Sequence, residues 1–241
     1  MRRFFWLLNE YMTTMLFEGR SFAAALFDMD GTLLSSIAAA ERVWTRWAAK
    51  FGIDAATFLP QIHGRRAVDS VKRLNIPGID AEAEAAKITR AEIEDVDGVH
   101  PIPGIKEFLS ALPSERWAVV TSAPRALAVR RLQAIGLSPP PVFISAEDIP
   151  HGKPAPDCYQ LAARRLGVAA DDCLVFEDAA AGIRAGEAAG AAVVVITSTH
   201  QHLMPTLHPT STDYTGLRWV TESDGRLKLE QVETGGRQPI A

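Results

Sequence analysis

The sequence predicts an α/β fold: a mostly parallel sheet covered by helices on both faces, interrupted after its first strand by an all-helical insertion. Three observations carry that expectation. Short apolar runs that end in polar loops recur at Phe22–Phe27, Trp117–Val120, Val142–Ile144, Cys173–Phe176 and Ala191–Ile196, as strands buried on both faces do. From Trp117 onward, helical patterns separate those runs. Between residues 37 and 97 the apolar spacing is three and four, with no strand signal.

Taken in order, residues 1–21 read as an N-terminal extension. The start, MRRFFWLL, faintly resembles a signal peptide, but Asn9, Glu10 and Tyr11 interrupt the apolar run and no small-x-small cleavage site follows. Initiation at Met12 or Met15 would remove most of it. Residues 22–36 open the core with the first strand. In the insertion, residues 37–97, Ile37, Ala40, Trp44, Trp47 and Phe51 lie on one helix face; Val68, Val71 and Leu74 mark a second helix, and Ala81, Ala85 and Ile88 a third. Trp44 and Trp47 read as core of this insertion rather than as a stacking platform.

Gly98 and the turn Pro101-Ile-Pro-Gly104 return the chain to the core, residues 98–241. Ile105–Leu112 reads as a helix, and Pro124 suits the first turn of another, with Ala128, Leu132 and Ile135 inward. Pro156 opens a helix stopped by Gly167; a further helix covers Ala179–Ala189. In the tail, an edge strand is expected near Leu217–Val220 and a short one near Arg226–Leu229.

Composition narrows the function classes. Net charge is −4 and the basic residues form no long run, so nucleic acid is not an expected partner. No apolar run reaches the ~18 residues of a membrane span. The two cysteines, Cys158 and Cys173, lack metal-type spacing and read as buried thiols of a reducing compartment, so the cytoplasm is the expected location; a monomer is the default expectation.

Four segments carry chemistry. In Phe27-Asp28-Met29-Asp30-Gly31-Thr32-Leu33, two carboxylates follow a buried strand at a spacing of two. Such a pair is costly unless a cation sits between them, and a divalent ion with oxygen ligands meets that need. Asp28 can touch the metal and attack a phosphorus, while Asp30 protonates the leaving oxygen and later accepts a proton from water. Gly31 permits a tight backbone beside a phosphate. A solvated Asp-x-Asp-Gly turn has the same spelling.

Thr121 and Ser122 end the Ala118-Val119-Val120 strand at a helix start, where a hydroxyl and backbone N–H groups suit a phosphate oxygen or simply cap the helix. In His151-Gly152-Lys153-Pro154, Lys153 is held on a stiff loop and can neutralise developing charge, although an exposed loop lysine has the same spelling. Glu177 and Asp178 end a buried strand and call for a cation, Asp178 directly and Glu177 through water. Each segment is weak singly; their order, each after a strand, is what makes them informative.

On Asp28-Met-Asp30-Gly-Thr, the Thr121 strand end, Gly152-Lys153-Pro154 and Glu177-Asp178, the chain resembles the haloacid dehalogenase superfamily over about residues 22–200. The resemblance implies a Rossmann-like core with a helical cap at residues 37–97. It implies Asp28 as nucleophile, Asp30 as acid/base, and Thr121 and Lys153 as phosphate ligands. Mg²⁺ is implied on Asp28, the Asp30 carbonyl and Asp178, with Glu177 behind.

Asp30 argues against dehalogenation, since the dehalogenases lack an acid at that place. Related β-phosphoglucomutases carry a histidine and an arginine in the cap where this chain has Ala40 and Ala67, which favours hydrolysis over a mutase. The cap is similar to those of bacterial hexose and hexitol phosphatases and of glycerol and 2-deoxyglucose phosphatases. That likeness rests on Ala39-Ala-Glu-Arg-Val-Trp44 and Gln61-Ile-His63-Gly-Arg65-Arg66. The expected substrate is thus a small sugar or polyol phosphate. His63, Arg65 and Arg66 are candidates for reading its far end, unless they form a solvated helix start. His200 and His202 read as a polar loop.

Overall fold

Along Ala24–Phe27 successive side chains point to opposite faces, and both faces are buried. Ala24 and Leu26 join one apolar cluster; Ala25 and Phe27 join the other. This two-sided burial requires helices on each side of the sheet, and the computed structural model, which describes residues 13–17, 19–202 and 204–232, supplies them.

The chain runs through β1 (Thr13–Met15), β2 (Ala24–Phe27) and β3 (Leu34–Ser35). Four helices follow: α1 (Ile37–Ala49), α2 (Ala55–Phe58), α3 (Ala67–Arg73) and α4 (Ala81–Glu94). Then come β4 (His100–Pro101), α5 (Ile105–Ser110), β5 (Trp117–Val120), α6 (Arg125–Ala134), β6 (Val142–Ile144) and α7 (Asp157–Leu166). The last elements are β7 (Cys173–Glu177), α8 (Ala180–Ala188), β8 (Ala192–Ile196), β9 (Thr210–Ser211), β10 (Leu217–Thr221) and β11 (Leu227–Val232).

The main sheet has six parallel strands in the order β6-β5-β2-β7-β8-β9. The chain builds from β2 toward β6 on one side and toward β9 on the other. The reversal at β2 leaves a crevice at the carboxyl ends of β2, β5 and β7, where open α/β sheets bind ligands.

The helical segment leaves and rejoins this edge through a two-stranded antiparallel pair, Leu34 opposite Pro101 and Ser35 opposite His100. It has its own apolar cluster, which includes Val43, Trp44, Trp47, Phe58, Ile62, Val71 and Ile88. Trp44 and Trp47 meet edge to face at 5.6 Å, and the Trp47 indole donates to Glu84 Oε2 at 2.9 Å. Both are therefore core of this segment, as their spacing predicts.

The tail differs from expectation. Its two strands form, but neither extends the main sheet. β10 pairs antiparallel with β11, and β11 pairs with β1, which lies inside the extension of residues 1–21. The physical reason is their one-sided pattern. Leu217, Trp219, Leu227 and Leu229 are buried while Arg218 is exposed, which suits an antiparallel layer with one wet face. The strand that does close the main sheet is Thr210–Ser211, a polar pair without a periodic signal. Residues 1–12, with the stretch resembling a signal peptide, lie outside the described residues.

Both cysteines are buried and free, and burial pushes their thiols up, Cys158 to about 11 and Cys173 to about 12. Among the described residues no helix is long and apolar enough to cross a membrane.

Candidate active site

Asp28 is the first residue after β2 and is buried. Its backbone N–H donates to the Phe176 carbonyl at 3.0 Å, so the β2–β7 ladder fixes where the carboxyl emerges. Lys153, on the loop between β6 and α7, reaches it from the other side of the sheet edge. The Lys153 ammonium donates to Asp28 Oδ1 at 2.5 Å, to Glu177 Oε1 at 2.7 Å and to the Val120 carbonyl at 3.2 Å. All three of its protons are thereby placed.

Glu177 is fully engaged. Oε1 also accepts from the Tyr159 hydroxyl at 2.9 Å, and Oε2 accepts from the backbone N–H groups of Asp178 and Ala179. It thus anchors Lys153 and ties down the loop into α8. Gly182, in the first turns of α8, makes room for it: a methyl there would sit 1.5 Å from Glu177 Oε1.

The electrostatics follow from the count of charges. One oxygen each from Asp28, Glu177 and Asp178 lies within 4.8 Å of the others, and Lys153 is the cation beside them. Burial raises the Asp28 carboxyl well above the usual range; Lys153 pulls it down and Glu177 pushes it up. Asp178 is raised for the same reasons, burial first, then Glu177 and Asp28. For Lys153, burial works against the charged form, but Asp28 and Glu177 outweigh it and hold the ammonium.

These residues fit a divalent cation. Asp178 Oδ1 is buried without a hydrogen-bond partner among the described residues, the state expected of a carboxylate shaped for a metal. Gly31 has φ +88° and no side chain, which lets the Asp178 carboxyl lie against its backbone. The backbone of Asp178 is held too: His200 Nε2 donates to its carbonyl at 2.8 Å. His200 therefore supports the site rather than merely sitting in a polar loop, whereas His202 is exposed.

Thr121 is buried at the end of β5, and its Oγ1 accepts from the Ala123 N–H at 3.0 Å. Its own hydroxyl proton remains available for an acceptor in the cleft. Ser122 donates across to the Gly64 carbonyl of the helical segment at 3.2 Å. Asp30 does not join the carboxyl group above. Its Oδ1 accepts from Ser36 Oγ at 2.6 Å and from Arg131 Nη1 at 2.8 Å.

Two adjoining clefts separate core and helical segment. The larger, about 460 Å³, is lined by Asp30, Gly31, His63, Arg65, Asp178 and His200, among others. The smaller, about 80 Å³, reaches Asp28, Thr121 and Ser122 and is walled by Ala40, Trp44, Ala67 and Leu127. His63 and Arg65 line both. Burial lowers the His63 pKa, with Glu41, 3.7 Å away, opposing. Arg66 lines neither: its guanidinium pairs with Asp69 at 2.7 Å and packs on Gly152.

Arg131 and Glu92 are not among the residues expected from the motifs. Arg131 is buried on α6 and donates from Nη2 to Glu92 Oε1, on α4, at 3.0 Å. A signal for them exists. Arg131 lies four residues after Leu127, and Glu92 four after Ile88, so each falls on an apolar stripe where a charge requires a partner.

Comparison with known proteins gives the family. The family model for haloacid dehalogenase-like hydrolases matches residues 22–190. The chain is 39% identical over 175 residues to hexitol phosphatase A of Escherichia coli, covering 71% of this chain and 81% of that protein. It is 33% identical over 175 residues to fructose-1-phosphate phosphatase YqaB of the same organism, covering 70% and 93%. Among solved structures, a hydrolase from Pseudomonas syringae superposes with a TM-score of 0.71 at 25% identity, over 80% of this chain and 95% of that one. With its parallel sheet and the acid-and-lysine cluster at the sheet's carboxyl edge, the chain is an enzyme of the haloacid dehalogenase-like hydrolase family.

Proposed function

We propose that this phosphomonoesterase hydrolyses a small sugar or polyol phosphate through an aspartyl-phosphate on Asp28. The observation that carries the reading is the buried Asp28 carboxyl, held by Lys153 beside Asp178 Oδ1, which has no hydrogen-bond partner among the described residues. The substrates named for similar enzymes support the substrate class.

In this reading the Asp28 carboxylate attacks phosphorus and the ester P–O bond breaks. Asp30 gives its proton to the departing alcohol oxygen. Water then attacks the aspartyl-phosphate, Asp30 accepts the water's proton, and release of inorganic phosphate restores Asp28. Lys153 and the Thr121 hydroxyl offset charge on the phosphoryl oxygens. Asp28, Asp178 and the Asp30 carbonyl would hold Mg²⁺, with Glu177 behind them; when bound it supplies charge neutralisation at the phosphoryl group. For Asp30 to act, its carboxyl must turn from Ser36 and Arg131 toward the leaving oxygen.

Ala40 and Ala67 present only methyl groups to the cleft, which supports hydrolysis over isomerisation. The test is phosphate release from p-nitrophenyl phosphate. It should require Mg²⁺ and fall by on the order of 10³-fold or more in Asp28→Asn. Full activity in that variant would sink the covalent route. Exchange of phosphate between sugar positions would favour the mutase instead.

A further inference from the structure

We propose that Glu92 and Arg131 form a built recognition site for the hydroxyl group on the carbon next to the phosphoester, so that the enzyme selects substrates with a vicinal hydroxyl. This deepens the phosphatase reading above and rests on it.

Three observations place the pair. First, both residues line the smaller cleft that reaches Asp28 and Thr121. Second, Arg131 Nη1 is bonded to Asp30 Oδ1 at 2.8 Å. When Asp30 turns to the leaving oxygen, as the proposed mechanism requires, that Arg131 N–H is released beside the reacting centre, open to a substituent of the adjoining carbon. Third, the two groups come from different bodies, Arg131 from α6 of the sheet core and Glu92 from α4 of the helical segment, and they meet across the cleft at 3.0 Å.

The chemistry matches a hydroxyl. An alcohol both donates and accepts, and this pair offers N–H donors beside a carboxylate acceptor. Two of the guanidinium's five N–H groups are used, one on Asp30 and one on Glu92; among the described residues the others bond to no protein group. Trp44, Leu127, Ala40 and Ala67 add to that cleft an apolar surface suited to a carbon chain, beside His63 and Arg65. A substrate lacking the hydroxyl would leave the Arg131 N–H given up by Asp30 without a partner, the arrangement by which sites reject a deoxy analogue most strongly.

The experiment compares glycerol 1-phosphate with 1,3-propanediol monophosphate, which lacks only the vicinal hydroxyl. The full chain is used with Mg²⁺, and p-nitrophenyl phosphate is assayed in parallel. Wild type should prefer glycerol 1-phosphate in kcat/KM by about tenfold or more. In Glu92→Gln, which keeps the shape, and in Arg131→Lys, which keeps the charge but loses the fork, that ratio should fall to within about twofold of one, mainly through KM for the hydroxylated substrate. A wild-type ratio near one overturns the proposal without any variant, as does a ratio retained in Glu92→Gln. Absence of any p-nitrophenyl phosphate hydrolysis would instead count against the phosphatase reading itself. A pair that only latches the two bodies together would lower all three substrates alike and leave the ratio intact.

Discussion

A methyl group built on Gly31 would sit 1.9 Å from Asp178 Oδ2. The loop after β2 and the loop after β7 can approach this closely only because one of them has no side chain and adopts φ +88° there. Gly31→Ala should therefore push Asp178 away from Asp28. The expected result is a loss of about 1–3 kcal/mol in stability from backbone strain and a rise of about tenfold or more in the Mg²⁺ concentration needed for half-maximal activity. Thermal melts and a metal titration of p-nitrophenyl phosphate hydrolysis measure the two effects separately.

Metal should act on stability as well as on rate. The proposed site is complete only in the folded chain, so Mg²⁺ at ten times its dissociation constant should add about 1.4 kcal/mol. Asp178→Asn should abolish that gain in scanning calorimetry while the chain still folds. A chelator should return wild type to its metal-free melting temperature.

Lys153 is the ammonium that partners both Asp28 and Glu177. Lys153→Met leaves those carboxyls buried without it, and breaking a buried pair in this way costs about 3–5 kcal/mol. Urea midpoints should show the loss in the presence of chelator. An unchanged midpoint would mean that the cluster does not rely on this cation.

Asp148 provides the pH dependence. Its carboxyl accepts from the Ser145 N–H and hydroxyl at 2.9 and 2.8 Å and pairs with Arg125 and Arg165 at 2.7 and 3.0 Å. Burial raises its pKa, but the Ser145 bonds and the two arginines outweigh it and hold the carboxyl well below the usual range. A depressed acid stabilises fully above the unfolded value, near 3.9, and loses that stabilisation as pH falls through the folded one. Asp148→Asn should cost about 1–2 kcal/mol at pH 7. The gap between variant and wild type, followed by urea unfolding, should close as pH falls below about 4.

Much of this enzyme is written locally. Asp28, Thr121 and Asp178 each follow a largely apolar strand, and Glu177 ends one; Lys153 stands on a Gly- and Pro-bounded loop. Parallel strands buried on both faces announce themselves by apolar runs, and such sheets gather chemistry at their carboxyl ends. The tail was less legible. Its strands could be seen, but which edge they join depends on β1, about 200 residues away in the chain.

By itself, then, the sequence determined the α/β class, the helical insertion and which acids and lysine meet at one edge, because each depends on periodicity and strand ends. Only the tertiary structure decided how Asp30 is held and what Arg131 and Glu92 do. Arg131 and Glu92 are 39 residues apart, on helices of different bodies. Helical periodicity puts each on a buried face but does not say which face it will meet. That is settled when α4 closes over α6 and a buried guanidinium must find its carboxylates.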